Sequence, residues 1–119
     1  MSNRIVKAVI KEVATPIILK LLEPYTAEDL QRAINSKLDL VKAIEANGDF
    51  KVYFLGLFML FPGMEKVKEY LNEKWLNYFI ENELKTARPD LYLVLQNNNE
   101  AKQWLVENIK NICEAYFTT

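Results

Sequence analysis

Apolar residues recur at helical spacing along almost the whole chain, and this periodicity limits the fold to helices packed on one core. In residues 3–22 they fall in adjacent pairs nearly every four positions, a pattern that gives an α-helix one broad apolar face. Pro16 interrupts this segment, and because proline lacks an amide hydrogen we expect a kink or a division near Thr15. The pattern predicts a mainly α protein.

Capping residues divide the next part of the chain into two short helices. Thr26 precedes acidic residues in a first turn, so it predicts a helix that begins at Ala27. Asn35-Ser36 interrupts the apolar stripe, and Ser36 and Asp39 repeat the capping pattern for a second helix. Asn47-Gly48 is expected to end that helix, because both residues tolerate the left-handed conformation.

Val52 to Phe61 is the most hydrophobic stretch of the chain. It has about half of the 20 or so apolar residues that a membrane span needs, so we expect no membrane span. A buried helix is favoured by Asp49 as N-cap and by Pro62-Gly63 as a stop signal. A small β-hairpin over residues 50–61 is the alternative, because the segment is rich in aromatic residues. All-round hydrophobicity predicts that it lies at the centre of the fold or against another subunit.

The second half of the chain contains the clearest helical pattern. A long amphipathic helix is expected from Met64 to Lys85, and a short helix after Pro89. Asn99 is predicted to cap a final helix from Glu100 to about Tyr116. Together these patterns predict a compact bundle of six or seven helices, with residues 1–119 as a single helical domain.

The composition excludes most chemistry that is recognisable in a sequence. The chain has no histidine, and its three glycines stand far apart, so histidine-dependent nucleophiles, zinc sites and phosphate-binding loops are excluded. Glu65, Glu69 and Glu73 form an acidic row that a solvated helix face explains, and Cys113 lies beside an apolar stripe. We therefore predict no enzyme activity, no catalytic or metal-binding residue and no cofactor.

Charge and cysteine content indicate the setting in which the protein works. The formal net charge is -1, which provides no long-range attraction to nucleic acid or anionic lipid. A single cysteine permits no intramolecular disulfide, and the N-terminus begins an amphipathic pattern that does not look like a signal peptide. These features favour a cytoplasmic location.

Residues 26–48 resemble the helix-turn-helix of winged-helix proteins. Two short helices are joined by a tight turn, and the segment from Asp49 to Phe54 takes the position of a wing strand. In that family the second helix enters the major groove of DNA. The resemblance implies that nucleic acid would contact a set of residues in and after the turn: Ser36, Lys37, Asp39, Leu40, Lys42 and Lys51.

Two functional hypotheses follow from the sequence. The apolar residues in 3–22 and 52–61 exceed what one small core is expected to cover, which favours a non-catalytic interaction protein. Such a protein would be an adaptor, an accessory subunit or a self-assembling module that binds another protein or a second copy. The alternative is a helix-turn-helix regulator that binds nucleic acid, although Asp39 and Glu45 balance the charges of Lys37 and Lys42.

Overall fold

Helices make up most of residues 15–60 and 73–117, the two ranges that a computed structural model describes. Within these two ranges the chain forms seven helices and no strand, so the mainly α prediction is confirmed. The predictions for residues 3–14 and 64–72, including Glu65 and Glu69 of the acidic row, lie outside the described residues. The helices are α1 Thr15–Leu22, α2 Ala27–Asn35, α3 Leu40–Ala46, α4 Gly48–Leu60, α5 over 73–87, α6 Pro89–Leu95 and α7 Asn99–Phe117.

The first turns of α2 and α3 have side-chain caps. Thr26 begins α2 as predicted: its hydroxyl accepts the Asp29 amide at 3.1 Å, and the Asp29 carboxylate accepts the Thr26 amide at 3.4 Å. Asp39 caps α3 by accepting the amides of Val41 and Lys42. The prediction that Ser36 caps α3 is wrong, because Ser36 is the C-cap residue of α2.

The turn between α2 and α3 takes its shape from Lys37. This residue has a φ of 54°, the left-handed conformation that commonly follows a helix end and that usually favours glycine or asparagine. Helix α3 ends at Ala46 with Asn47 as its C-cap residue, so the predicted end is confirmed. The left-handed conformation expected there is not found, since Asn47 has a φ of -118° and Gly48 already belongs to α4.

Residues 48–60 form a helix, so the β-hairpin alternative and the wing strand are wrong. Asn47 caps this helix, not Asp49 as predicted, because its side-chain oxygen accepts the Phe50 amide at 3.1 Å. The aromatic residues that suggested a strand also fit a helix. Phe50 and Phe54 are one helical turn apart, and their rings stack with centroids 5.6 Å apart.

Helix α5 contains one π-helical turn. Residues Glu73–Phe79 are α-helical, Ile80–Leu84 form the π turn, and Lys85–Ala87 return to α-helix. The predicted break before Pro89 is confirmed, since Arg88 is not helical and Pro89 takes the first position of α6. The Tyr92 hydroxyl donates to Glu81 at 3.0 Å and so ties α6 to the π turn.

The final helix begins as predicted to within one residue. Asn98 caps it by accepting the Ala101 amide at 3.0 Å, one position before the predicted cap Asn99. Asn97 has a φ of 55° and completes the turn that precedes the helix.

Helix α7 is the centre of the bundle. It packs against α2, α3, α5 and α6, whereas α4 packs mainly against α1 and α3. Of the two positions predicted for residues 52–61, the centre of the fold is therefore wrong for the residues of α4, and a contact with another subunit stays a prediction. All seven helices contribute to one buried core, in which Cys113 is also buried as predicted. Its largest fully buried side chains are Phe54, Phe79, Ile18, Leu22, Leu30, Leu40, Leu76, Ile80, Leu84, Leu91 and Leu95.

Candidate interaction surface

One side of α4 exposes large apolar residues. The exposed fractions are 73% for Val52, 54% for Tyr53 and 85% for Met59. Val52, Gly56 and Met59 follow one another at helical spacing on the same side of the helix, and Tyr53 adjoins them. We call Val52, Tyr53, Gly56 and Met59 the α4 face. Three of its residues are among the five large hydrophobic residues that are exposed in the described part of the chain.

The opposite side of α4 is fixed to the core. Phe54 is completely buried, and Phe50 and Leu55 pack against the buried cluster. At its N-terminal end, the Lys51 ammonium lies 2.7 Å from the Glu45 carboxylate on α3. The α4 face is therefore presented by a helix that is held in place on its other side.

Lys20 of α1 orients the aromatic residue of the α4 face. Its ammonium lies 4.3 Å above the centroid of the Tyr53 ring and 2.9 Å from the Glu23 carboxylate. The hydrogen bond to Glu23 is the largest of several effects that raise the pKa of Lys20, and Tyr53 adds to it. Lys20 thus stays charged, and a cation over the ring favours one orientation of Tyr53.

Gly56 lies in the middle of the α4 face, where the described residues give no packing reason for a glycine. None of them lies within 4 Å of a β-carbon built at this position. Glycine in a helix interior costs about 0.5–1 kcal/mol relative to alanine, so the chain carries this cost although its own packing would accept a side chain. A glycine at such a position allows another backbone to approach closely.

Glu45 joins three helices below the α4 face. It accepts a hydrogen bond from Lys51 and another from the Tyr116 hydroxyl of α7, at 2.5 Å. These two bonds, the one from Lys51 first, lower the pKa of Glu45. Burial, together with the bond to Glu45, raises the pKa of Tyr116 to about 12. At neutral pH Glu45 is therefore ionised and Tyr116 is neutral, the states in which these hydrogen bonds form.

A second surface feature is a polar groove between the α2–α3 turn and α7. Its volume is about 390 Å³, and Asp39, Glu100 and Glu107 contribute carboxylates to its lining. Two polar groups at its floor already have protein partners. Trp104 donates to the Leu38 carbonyl at 2.9 Å, and Asn108 accepts the Leu40 amide at 2.8 Å. These bonds give the floor of the groove a structural role, which is to attach the turn to α7.

The structure places the residues that the winged-helix resemblance assigns to nucleic acid on the α2–α3 turn, on α3 and on α4. Ser36 and Lys37 lie in the α2–α3 turn, and Lys37 lines the polar groove together with acidic residues. Lys42 is exposed on α3, while Lys51 is on α4 and paired with Glu45. Leu40 is 1% exposed, so its assignment to the exposed face is wrong.

Two searches of the described residues give negative results. No group of three or more His, Cys, Asp or Glu side chains in 15–60 and 73–117 could hold a metal ion. Across the same ranges, every helix falls short of the length and hydrophobicity required to span a bilayer.

Two residues that no sequence motif singles out connect distant parts of the fold. Arg88 donates to the Tyr25 carbonyl at 2.6 Å and to the Leu22 carbonyl at the end of α1, and it also pairs with Asp90 at 3.0 Å. Asn108 is 6% exposed and joins α7 to α3. A signal for Asn108 existed in the sequence, because a polar residue at position 108 falls on the apolar stripe of α7.

Comparison with protein-family models, with curated proteins and with solved structures finds no match to this chain.

Proposed function

We propose that this protein is a non-catalytic interaction protein and that the α4 face is its contact surface. The observation that carries the proposal is the exposure of Val52, Tyr53 and Met59 on a helix whose other side is buried in the core. Contiguous apolar patches on soluble proteins often mark sites of association, since exposing them to water is unfavourable.

The composition of the α4 face also supports a protein partner. Tyrosine and methionine are enriched in the centres of protein interfaces, where lysine and glutamate are depleted. Lys20, whose ammonium lies over the Tyr53 ring, is paired with Glu23, and Lys51 is paired with Glu45. Asp49 is exposed one helical turn before Val52 and Tyr53. An apolar centre with charged groups around it is the usual arrangement of an interface.

The contacts weigh against the nucleic-acid alternative. Binding to DNA requires an excess of positive charge on one surface. Among the candidate cations, Lys51 is paired with Glu45, and Lys37 shares its groove with Asp39, Glu100 and Glu107. We therefore propose no second function.

Co-purification with a matched pair of variants tests the proposal. The tagged chain is expressed in its native host as wild type, as Met59→Glu and as Leu93→Glu. Leu93 is a suitable control because it is 67% exposed on a different helix, α6. Both variants place a carboxylate at an exposed apolar position, and circular dichroism and thermal melting verify that both fold.

We expect the wild type and Leu93→Glu to recover the same partner. A co-expressed second copy with a different tag shows whether that partner is the chain itself. Met59→Glu should lose it, because a carboxylate buried in an apolar contact without a partner is strongly unfavourable. Equal recovery with all three proteins would contradict the proposal.

A further inference from the structure

A small apolar pocket lies where the end of α1 meets α3 and the start of α4. Its volume is about 130 Å³, close to the roughly 150 Å³ of an apolar cavity that binds benzene in another protein. Water in such a pocket finds few hydrogen-bond partners, so an apolar ligand that displaces it binds favourably. Apart from Tyr25 and Asn47, the lining consists of apolar side chains: Leu21, Pro24, Leu40, Ala43, Ile44 and Phe50.

Contacts made outside the pocket hold its walls in place. Arg88 donates to the Tyr25 carbonyl at 2.6 Å. Asn108 accepts the Leu40 amide at 2.8 Å, and the Phe50 ring stacks on the next aromatic ring of α4. A ligand therefore meets a preformed site and does not have to order it, which favours binding.

The Tyr25 hydroxyl is a polar group that a ligand can use. Within the described part of the chain it has no hydrogen-bond partner, although the Tyr25 carbonyl has one in Arg88. Burial, and after it the negative charge of Asp29, raises the pKa of Tyr25. The hydroxyl is therefore protonated at neutral pH and can donate to a ligand. Asn47 is exposed, so the pocket opens to solvent on that side.

We propose that this pocket binds a small molecule with a single aromatic ring and one polar substituent, such as a phenol. The rings of Tyr25 and Phe50 in the lining favour an aromatic ligand, because aromatic rings pack against each other in stacked or edge-to-face arrangements. The polar substituent accepts a hydrogen bond from the Tyr25 hydroxyl. None of the lining residues belongs to the α4 face, so this inference goes beyond the proposed function and does not depend on it.

Phenol is the probe that tests the pocket, with Ala43→Leu and Ala46→Leu as matched variants. Both alanines are on α3, but Ala43 lines the pocket and Ala46 is exposed. Amide NMR spectra of the purified chain follow the titration. For the wild type and Ala46→Leu we expect saturable shifts at the lining residues, with a dissociation constant on the order of 1 mM for so small a ligand.

Ala43→Leu should bind phenol at least about tenfold more weakly, because its side chain fills the space that the ring needs. Thermal melting verifies that the variant folds, and Ala43→Met, whose unbranched side chain adapts more easily, replaces it if it does not. Shifts that do not saturate in the wild type, or binding that the folded variant leaves unchanged, would overturn the inference.

Toluene tests the contact to the Tyr25 hydroxyl, since it has nearly the size of phenol and no hydroxyl group. Tyr25→Phe should weaken the binding of phenol by about three- to tenfold, the usual effect of one hydrogen bond, and leave the binding of toluene unchanged. An equal effect on both ligands, or none on phenol, would overturn this contact.

N-acetyltyrosinamide distinguishes a free ligand from a side chain of a partner protein. It carries the phenol ring on a peptide backbone, whereas a volume of about 130 Å³ accommodates a ring alone. We expect it to bind more weakly than phenol. Binding as tight as that of phenol, or tighter, would indicate a partner's side chain and overturn the assignment of a small molecule.

Discussion

Asn108 is the residue whose replacement tests the architecture most sharply. Its side-chain oxygen accepts the Leu40 amide at 2.8 Å, and its side-chain nitrogen donates to the Trp104 carbonyl at 2.9 Å. Leu40 is the first residue of α3, and the Asp39 cap already serves the next two amides of that helix. The Leu40 amide, which the Asp39 cap does not serve, therefore depends on Asn108 for its hydrogen bond.

The cost of Asn108→Ala follows from these contacts. The Leu40 amide loses its partner at a buried position, which costs about 1–3 kcal/mol. The entropy of unfolding is about 2.1 cal/mol/K per residue, which gives a total of ~0.25 kcal/mol/K for a chain of this length. Dividing a loss of about 2 kcal/mol by this entropy gives a decrease in Tm of roughly 8 °C.

Asn111→Ala is the matched control for this prediction. Asn111 is exposed on the same helix, so both variants gain the same small helix propensity and only Asn108→Ala loses the tertiary hydrogen bond. Chemical denaturation measures both free energies of unfolding. A difference between the two variants of less than about 0.5 kcal/mol, the usual size of surface effects, would refute the reasoning.

Three further predictions concern other contacts. Arg88→Met should lower the free energy of unfolding by about 1.5–3 kcal/mol, because it removes charged hydrogen bonds to the carbonyls of Leu22 and Tyr25. Urea denaturation measures this loss, with Lys102→Met as the control. The hydrogen bond from Arg88 is also the main cause that lowers the pKa of Asp90 from its usual 3.8. The stability that this bond contributes is therefore present above pH 3.8 and is lost as the pH falls through the lowered pKa. In Arg88→Met, a carboxyl NMR titration should show the Asp90 pKa rising towards 3.8. Burial raises the pKa of Tyr116 from 10.0 to about 12. The contribution of the neutral Tyr116 hydroxyl to stability is therefore complete below pH 10 and is lost as the pH rises through 12. In an ultraviolet titration, Tyr116→Phe should lack the last tyrosine to ionise, and a curve identical to that of the wild type would contradict this. Gly56→Ala should raise the free energy of unfolding of the dilute monomer by about 0.5–1 kcal/mol, and thermal melting that shows destabilisation would contradict the open space around this residue.

Local chemistry was predictable from the sequence. The cap at Thr26 and the helix start at Pro89 depend on residues within one turn, and both were predicted correctly. The caps at Asn47 and Asn98 were missed by one or two positions. Several neighbouring residues there are good caps, so capping preference alone does not select one of them.

Contacts between distant residues were not predictable. Asn108 and Leu40 are 68 positions apart, and Arg88 and Tyr25 are 63 apart. The position predicted for α4, the centre of the fold or a contact with another subunit, was left open for a related reason. A segment that is hydrophobic on all sides has no periodicity to show which side is covered, so the sequence could not distinguish the centre of the fold from an exposed face.

Hydroxyl-radical footprinting of Met59 tests the central claim most directly. The modification rates of Met59 and Leu93 are compared in the dilute purified chain and in freshly lysed native cells, with Leu93 as the internal reference. We predict that both react rapidly in the dilute chain and that only Met59 is protected in the lysate. Equal reactivity of Met59 under both conditions would show that nothing covers the α4 face where the protein works, and would contradict the proposed function.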